Sequence, residues 1–267
     1  MLRISSIFKS LWTYRFFIFS SIKNDFKSRF SRSKFGGVWI VLHPLAMVLI
    51  YALILSQVMT AKMPGIVSDY AYPIYILSGI VCWNLFSEIL GRSLNIFIEN
   101  SDLIKKISFP KMTLPAIMVG TALVNFIILV VVMYIVFFIL GHSPINNIIW
   151  LPVLVIITLS LAMGIGLFFG IINIFIRDVG QLINIILQFW FWLTPIVYTI
   201  NIVPEKYKWI IMLNPLSSLT IGYHDVLVYD KSPDFTTLSY PIILAFVMLA
   251  LSALIFKKAN EEMADVL

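Results

Sequence analysis

Residues 114–140, LPAIMVGTALVNFIILVVVMYIVFFIL, form an uninterrupted apolar run without a charged side chain. As an α-helix, a run of this length extends about 40 Å, which is more than the hydrocarbon core of a bilayer, about 30 Å thick. A lipid-facing strand would instead alternate apolar and polar residues. The run therefore predicts a transmembrane helix and argues against a β-barrel.

Similar apolar runs, bounded by charges, proline and glycine, occur along the rest of the chain. Of its 267 residues, 60% are hydrophobic and 12% are charged, whereas soluble domains are about 45–50% apolar and about 25% charged. We expect an all-α integral membrane protein that leaves no room for a large catalytic domain. The six predicted spans are residues 37–59, 72–91, 114–140, 150–176, 180–200 and 240–256.

The basic residues predict the orientation of these spans. Fifteen of the 19 Lys and Arg residues fall before the first span, in the even-to-odd connections or in the C-terminal tail. Because cytoplasmic segments carry the excess of Lys and Arg, we expect both termini to be cytoplasmic. The net charge of +6 is then explained by topology and anionic lipid, and no nucleic-acid recognition motif is present.

Three regions are predicted: a cytoplasmic N-terminal segment (1–36), a transmembrane domain (37–257) and a cytoplasmic tail (258–267). The N-terminal segment lacks the pattern of a signal peptide. It is expected to form an amphipathic interface helix, or else a basic leader that fixes topology. Its apolar residues recur at helical spacing: Ile4, Ile7, Phe8, Leu11 and Trp12.

The connection between the fifth and sixth spans contains two short apolar stretches separated by Asn214-Pro215. Neither stretch is long enough to cross a bilayer. We expect short re-entrant or interfacial helices within residues 203–232, held against protein on the outer side. The alternative is an external loop that lies on the lipid head groups.

Several kinds of chemistry lack their sequence motifs. No Gly-x-x-x-x-Gly-Lys-Ser/Thr is present, so we expect no ATP bound through a P-loop. The spacing Gly166-x-x-x-Gly170 favours close helix packing. Glu88 lies four residues before Arg92, and we expect an ion pair near the end of its helix. The single cysteine, Cys82, excludes a disulfide framework and is expected to be a buried apolar side chain, and no metal site is expected.

Polar and aromatic residues inside the spans are the candidates for a transport path. Gln181, Asn184, Gln188 and Trp192 share one helical stripe, which is expected to face protein or water. Two roles are equally compatible with this stripe: it could form hydrogen bonds with neighbouring helices, or it could line a transport path. Trp83 and Trp190 also fall well inside spans, where packing and sugar contact are both compatible with an indole ring.

Two cytoplasmic connections are predicted to dock a partner. Residues 99–110 favour a short helix with Leu103, Ile104 and Ile107 on one face. Between the fourth and fifth spans, Arg177-Asp178 forms a tight charged turn. A short amphipathic helix outside the membrane fits a partner groove, and contact with lipid is the alternative.

At this point the chain resembles the membrane subunits of polysaccharide-exporting ABC transporters, and within them the O-antigen permeases of the Wzm type. The resemblance covers nearly the whole chain, and it depends on the order of several moderately specific blocks. These blocks are DFKSRF (25–30), SKFGGVW (33–39) with Pro44, NSDLIKKISFP (100–110), FIRDV (175–179), TPIVY (194–198) and NPL (214–216).

The resemblance implies a permease homodimer in the bacterial inner membrane, with two copies of a separate cytoplasmic P-loop ATPase that binds ATP and Mg. This chain would then be no enzyme and would bind no cofactor. The implied substrate is an undecaprenyl-pyrophosphate-linked O-polysaccharide, moved from the cytoplasm to the periplasm. Capsule polysaccharide and teichoic acid are the alternative substrates.

The resemblance also implies roles for particular residues. Coupling to the ATPase would use Asn100, Ser101, Asp102, Leu103, Ile104 and Ile107 together with Arg177 and Asp178, and Asn214 and Pro215 would mark the outer gate. Our own hypothesis is that the channel is lined by Tyr51, Trp83, Gln188, Trp190 and Trp192. We also expect the lipid pyrophosphate to be attracted by Arg29, Arg32 and Lys34.

Two rival functions follow from the residues alone. An ion-driven carrier would need a carboxylate relay within the membrane, for which Glu88 is the main candidate. A membrane-embedded transferase would need acid and base groups such as His43 or His224-Asp225 to converge beside a pocket.

Overall fold

A computed structural model describes residues 12–30, 35, 38–39, 41–43, 45–47, 49–50, 70–106, 113–259 and 262–266. All regular structure in these residues is helical. Two short 3₁₀ turns are also present, Ile148–Trp150 and Ile200–Ile202. The α-helices are α1 (Arg15–Phe30), α2 (Ala71–Glu99), α3 (Ser101–Lys106), α4 (Thr113–Ile139), α5 (Leu151–Phe175), α6 (Asp178–Leu193), α7 (Glu205–Met212), α8 (Pro215–Leu227), α9 (Phe235–Ala259) and α10 (Met263–Val266).

Four of the described helices are long and apolar enough to cross a membrane: α2, α4, the 148–175 segment that contains α5, and α9. They coincide with the second, third, fourth and sixth predicted spans. The first predicted span, residues 37–59, lies largely outside the described residues. The count of six spans therefore stays a prediction.

The helix in the fifth predicted span is shorter than expected. Helix α6 ends at Leu193 after 16 residues, a length of about 24 Å. Pro195 has no N–H to donate and disfavours helical geometry at the residue before it. Thr194 accordingly adopts an extended conformation, with φ −96° and ψ 135°. The prediction extended this helix to residue 200, and its last two turns or so, from residue 194, are replaced by an irregular segment that leads into the 3₁₀ turn Ile200–Ile202.

Helix α2 lies at the centre of the bundle and contacts α4, α5, α6 and α8. Glycines on α5 allow two close helix contacts. A Cβ at Gly166 or Gly170 would collide with Ser93 of α2, and one at Gly164 would lie 2.9 Å from the backbone nitrogen of Leu249 in α9. The packing role predicted for Gly166-x-x-x-Gly170 is confirmed.

Helix α1 crosses α4 and is tied to α2 by charge. Ile22 of α1 packs directly against Gly120. The Arg92 guanidinium lies 3.2 Å from a carboxylate oxygen of Asp25 and 3.5 Å from one of Glu88, and Asn125 Nδ2 donates to Glu88 over 2.7 Å. The predicted Glu88–Arg92 pair is confirmed. The amphipathic stretch predicted over residues 4–12 lies, apart from Trp12, outside the described part of the chain.

The segment around Asn214-Pro215 forms two short helices, as predicted. Helix α7 has no buried residue, whereas α8 is buried along most of its length and contacts α2 and α9. Their re-entry into a membrane stays a prediction. Together the helices position two regions for function: the exposed face of α6 and the bundle end where α2, α3 and the α5–α6 turn meet.

Candidate functional site

The face of α6 that carries the polar stripe is exposed. Gln181, Asn184, Gln188 and Trp192 are all exposed, and 65% of Trp192 is accessible. Only Gly180 and Ile183 of this helix are buried. Since side-chain amides are unfavourable against lipid tails, we expect this polar stripe to face water or a second protein surface.

The structure separates the three channel residues predicted on α6. At about 100° per residue, Gln188 and Trp192 share one face and Trp190 lies on the opposite one. The Trp190 ring meets Phe86 of α2 edge to face, with ring centroids 5.3 Å apart. Trp83 of α2 meets Phe191 in the same way over 5.3 Å. The two inward tryptophans thus pack between α2 and α6, beside the exposed row and not within it.

Asn214 joins the end of α6 to the start of α8. Its Oδ1 accepts from Trp190 Nε1 over 2.7 Å and from the backbone N–H of Leu216 over 3.0 Å. Its Nδ2 donates to Thr194 Oγ1 over 2.9 Å. One side chain therefore caps α8, which has Pro215 in its first turn, and satisfies the indole that α6 directs inward. A movement of α6 would reach α8 through this junction.

Beyond Asn214, α8 carries a buried histidine. His224 stacks on Tyr75 with ring centroids 3.7 Å apart and an interplanar angle of 25°, and it is 2% exposed. Burial lowers the pKa of His224 to about 3, while burial raises the pKa of the neighbouring Asp225 to about 6. A neutral imidazole behind Tyr75 is poorly placed for acid–base chemistry on an external substrate, so the transferase hypothesis gains no support here.

At the opposite end of the bundle, Asn173 connects α2 to the start of α6. It is 2% exposed, and its Nδ2 donates to the carbonyl of Leu94 over 3.0 Å and to Asn95 Oδ1 over 3.3 Å. Its Oδ1 accepts from the backbone N–H of Gly180 over 2.8 Å. The turn between α5 and α6 is thereby fixed to the end of α2. Sequence reasoning missed Asn173 and Asn95, although an Asn inside an apolar run was the available signal.

The charged turn Arg177-Asp178 lies at the surface, next to the contacts of Asn173. Arg177 and Asp178 are both exposed, and Asp178 occupies the first turn of α6, where a negative charge is favourable. The predicted tight turn is present between α5 and α6. Its docking role stays a prediction.

Helix α3 is the described part of the other predicted coupling element. Asn100 donates from Nδ2 to the carbonyl of Ile96 over 2.8 Å, so its side chain completes the end of α2. Asp102 is exposed in the first turn of α3, Ser101 is half-buried, and Ile104 packs against the core. The short helix is confirmed as far as Lys106. Its proline stop lies outside the described residues.

Some predicted site residues receive no structural account. Tyr51, Arg32, Lys34 and Ile107 lie outside the described residues, and for Arg29 and Leu103 only the helix backbone is described. Their roles stay predictions. Within the part of the chain that is described, no three His, Cys, Asp or Glu side chains lie together as a metal site.

Comparison with known proteins gives consistent matches along the chain. The model of a family described as ABC-2 type transporter matches residues 17–228. The chain is 28% identical over 244 residues to the O-antigen export system permease protein RfbA of Klebsiella pneumoniae, covering 91% of this chain and 92% of that protein. For RfbA of Myxococcus xanthus the identity is 27% over 259 residues, covering 96% and 97%. The polysialic acid transport protein KpsM of Escherichia coli is 23% identical over 240 residues, covering 90% and 92%.

Proposed function

Because this chain belongs to the ABC-2 type transporter family, we propose that it is the permease subunit of an ATP-driven polysaccharide exporter. The proposed substrate is an undecaprenyl-pyrophosphate-linked O-antigen, moved from the cytoplasm to the periplasm across the bacterial inner membrane. Both termini would then be cytoplasmic. The similarity to two O-antigen permeases over more than nine-tenths of the chain supports this substrate over others.

The exposed polar row on α6 is the observation that carries the proposal. Gln181, Asn184, Gln188 and Trp192 are exposed on α6, on the side away from the contacts of Trp190 and Phe191 with α2. Facing lipid, each amide would lose hydrogen bonds worth about 1–3 kcal/mol. In a homodimer, the two rows would face one another across a path wide enough for a sugar chain.

A path of this composition suits a sliding polymer. Amide groups exchange hydrogen bonds with sugar hydroxyls, and the indole of Trp192 offers a flat apolar face. Binding must be favourable enough for entry and weak enough for exit. Trp83 and Trp190 would support this lining from behind, Tyr51 would add to it, and the basic residues Arg29, Arg32 and Lys34 would attract the pyrophosphate at the inner face.

Energy would come from a separate P-loop ATPase, two copies per permease dimer, with ATP and Mg bound there. The docking surface would combine α3 with the Arg177-Asp178 turn. Because Asn173 bonds to both α2 and the start of α6, a push on this surface would be transmitted to the two helices nearest the path. ATP binding would shift the pair of permeases between closed and open states.

Substitutions on α6 test the path. In cells that depend on this chain for surface polysaccharide, Gln188→Ala combined with Trp192→Ala should reduce polymer on the surface at unchanged protein level. Leu182→Ala is the matched control, because Leu182 is an exposed apolar residue of the same helix. Equal polymer from the double variant and wild type would refute the lining.

Copurification tests the partner. A P-loop ATPase should copurify in stoichiometric amount from native membranes in mild detergent, and the charge reversal Arg177→Glu should reduce its recovery. Lys206→Glu is a matched reversal at an exposed site in α7, and it should have no effect. A homogeneous protein without an ATPase would move the proposal towards an ion-driven carrier.

Export of a capsule polysaccharide is the second candidate, since KpsM of Escherichia coli is similar over 90% of this chain. Analysis of the accumulated polymer in a deletion strain separates the two. A glycan on undecaprenyl pyrophosphate supports the O-antigen route, and a glycan on another lipid anchor supports capsule export.

A further inference from the structure

A cavity of about 600 Å³ lies between α1 and four helices of the bundle, α2, α4, α5 and α9. Ile18, Phe19 and Ile22 of α1 form one wall, and Ala116 of α4 and Ala253 of α9 lie on others. The contact of Ile22 with Gly120 holds α1 over the cavity. We call this space the α1 cavity.

The residues that line the α1 cavity are almost all apolar, so the cavity suits a hydrocarbon chain. Its one polar side chain is Ser252, whose hydroxyl donates to the carbonyl of Leu249 within α9 over 2.9 Å. A ligand that carried hydroxyls or charges inside would leave them unpaired. The lining therefore suits an apolar chain.

The volume sets the length of that chain. An apolar cavity of about 150 Å³ holds a benzene molecule, so the α1 cavity has room for about four such six-carbon groups. This is enough for one acyl chain of a phospholipid. An undecaprenyl tail is more than twice as long and would extend out of the cavity.

Two basic residues flank one of the lining residues on α1. Arg15, Phe19 and Lys23 are spaced four residues apart and so form one row along α1. Phe19 lines the cavity and is 70% exposed, so a cation lies one turn to each side of it. The Arg15 guanidinium is held in place by its bond to the carbonyl of Trp12 over 2.9 Å and by the Phe16 ring, 4.5 Å away.

We propose that the α1 cavity binds an anionic phospholipid, with one acyl chain inside and the phosphate between Arg15 and Lys23. The lipid would fill the space beneath α1 and fasten this helix to the bundle. A second apolar groove, about 510 Å³, is lined by α4 residues that include Val131 and by Ile148, with no Lys or Arg among its lining residues. It provides an internal comparison on the same protein.

Photo-crosslinking tests the proposal with the full chain in nanodiscs of phosphatidylethanolamine. The probe is phosphatidylglycerol with a diazirine in one acyl chain, and labelled peptides are mapped by mass spectrometry. Label should concentrate on the α4 and α9 segments that line the α1 cavity. Ala116→Leu with Ala253→Phe should remove it, and Val131→Phe in the second groove should leave it unchanged.

A second variant tests the head-group site without changing the packing of the cavity. In Arg15→Gln with Lys23→Gln, each lost cation should reduce labelling by phosphatidylglycerol about fivefold. Labelling by the matching phosphatidylcholine probe should stay constant. Even labelling of both cavities, equal loss for both probes, or competition by undecaprenyl phosphate but not by phosphatidylglycerol would each overturn the proposal.

Discussion

Replacement of Asn214 by alanine tests the junction between α6 and α8 most directly. The change removes the cap of α8, an effect of about 1 kcal/mol. It also leaves Trp190 Nε1 without its acceptor at 2.7 Å, and an unpaired donor in a partly buried site costs about 1–3 kcal/mol. We expect Asn214→Ala to lower the free energy of unfolding by about 2–4 kcal/mol.

Two further variants separate these contributions. Asn214→Asp keeps an acceptor for Trp190 and for the backbone of Leu216, and it loses the donor to Thr194. It should therefore lose less than half as much stability as the alanine variant. Trp190→Phe removes the indole donor and keeps an aromatic ring against Phe86.

The assay is SDS unfolding in mixed micelles followed by circular dichroism, applied to wild type, Asn214→Ala, Trp190→Phe and the double variant. The double-mutant cycle should show a coupling free energy of about 1 kcal/mol, because the hydrogen bond is lost only once. Additivity within about 0.3 kcal/mol would refute the reasoning, since the two side chains would then be energetically independent.

Three further predictions concern packing and protonation. Gly170→Ala places a Cβ against the backbone carbonyl of Ser93 and should lower the free energy of unfolding by about 1–3 kcal/mol. At Gly91 a Cβ would meet nothing within 4 Å, so Gly91→Ala should raise the free energy of unfolding by about 0.5–1 kcal/mol in the same SDS assay. The pKa of Asp225 is raised to about 6. Its contribution to stability is therefore present below about pH 4 and lost as the pH rises through 6. Compared with wild type, Asp225→Asn should have a higher Tm at pH 7.5 and the same Tm at pH 4. The pKa of His224 is lowered to about 3, so its contribution to stability is present above about pH 6.5 and lost as pH falls. Because the contributions of His224 and Asp225 change in opposite directions between pH 6.5 and pH 4, the variant is compared with wild type at each pH: the Tm of His224→Gln should rise relative to that of wild type as the pH falls from 6.5 to 4. A constant difference across this range would refute the buried neutral histidine.

Most of the bundle was predictable from the sequence because the relevant signals are local. A continuous apolar run predicts a membrane-crossing helix wherever it lies in the chain, and four such runs form helices long and apolar enough to cross a membrane. The Glu88–Arg92 pair and the packing role of Gly166-x-x-x-Gly170 were found in the same way, since residues three or four apart share a helix face. The end of α6 was mispredicted because the hydropathy of residues 194–200 outweighed the signal of Pro195.

The candidate site was predictable only in part. Helical spacing placed Gln188 and Trp192 on one face, and both are exposed on α6. The channel hypothesis grouped Trp190 with them, although at about 100° per residue Trp190 lies on the opposite face, and the sequence did not indicate that this opposite face packs inward. The inward position of Trp190 depends on its contacts with Phe86 and Asn214, which lie outside α6.

The sequence by itself determined the class of protein, the helices and the residues that share each face, because these depend on composition and on a period of 3.6 residues. Only the tertiary structure decided that Asn173 joins α2 to the start of α6, that Asn214 joins α6 to α8, and that an apolar cavity lies beneath α1. Each of these features depends on a contact between residues that lie 20 or more positions apart along the chain. A hydrogen bond or a cavity wall between such residues exists only once the helices have packed, so no local pattern encodes it.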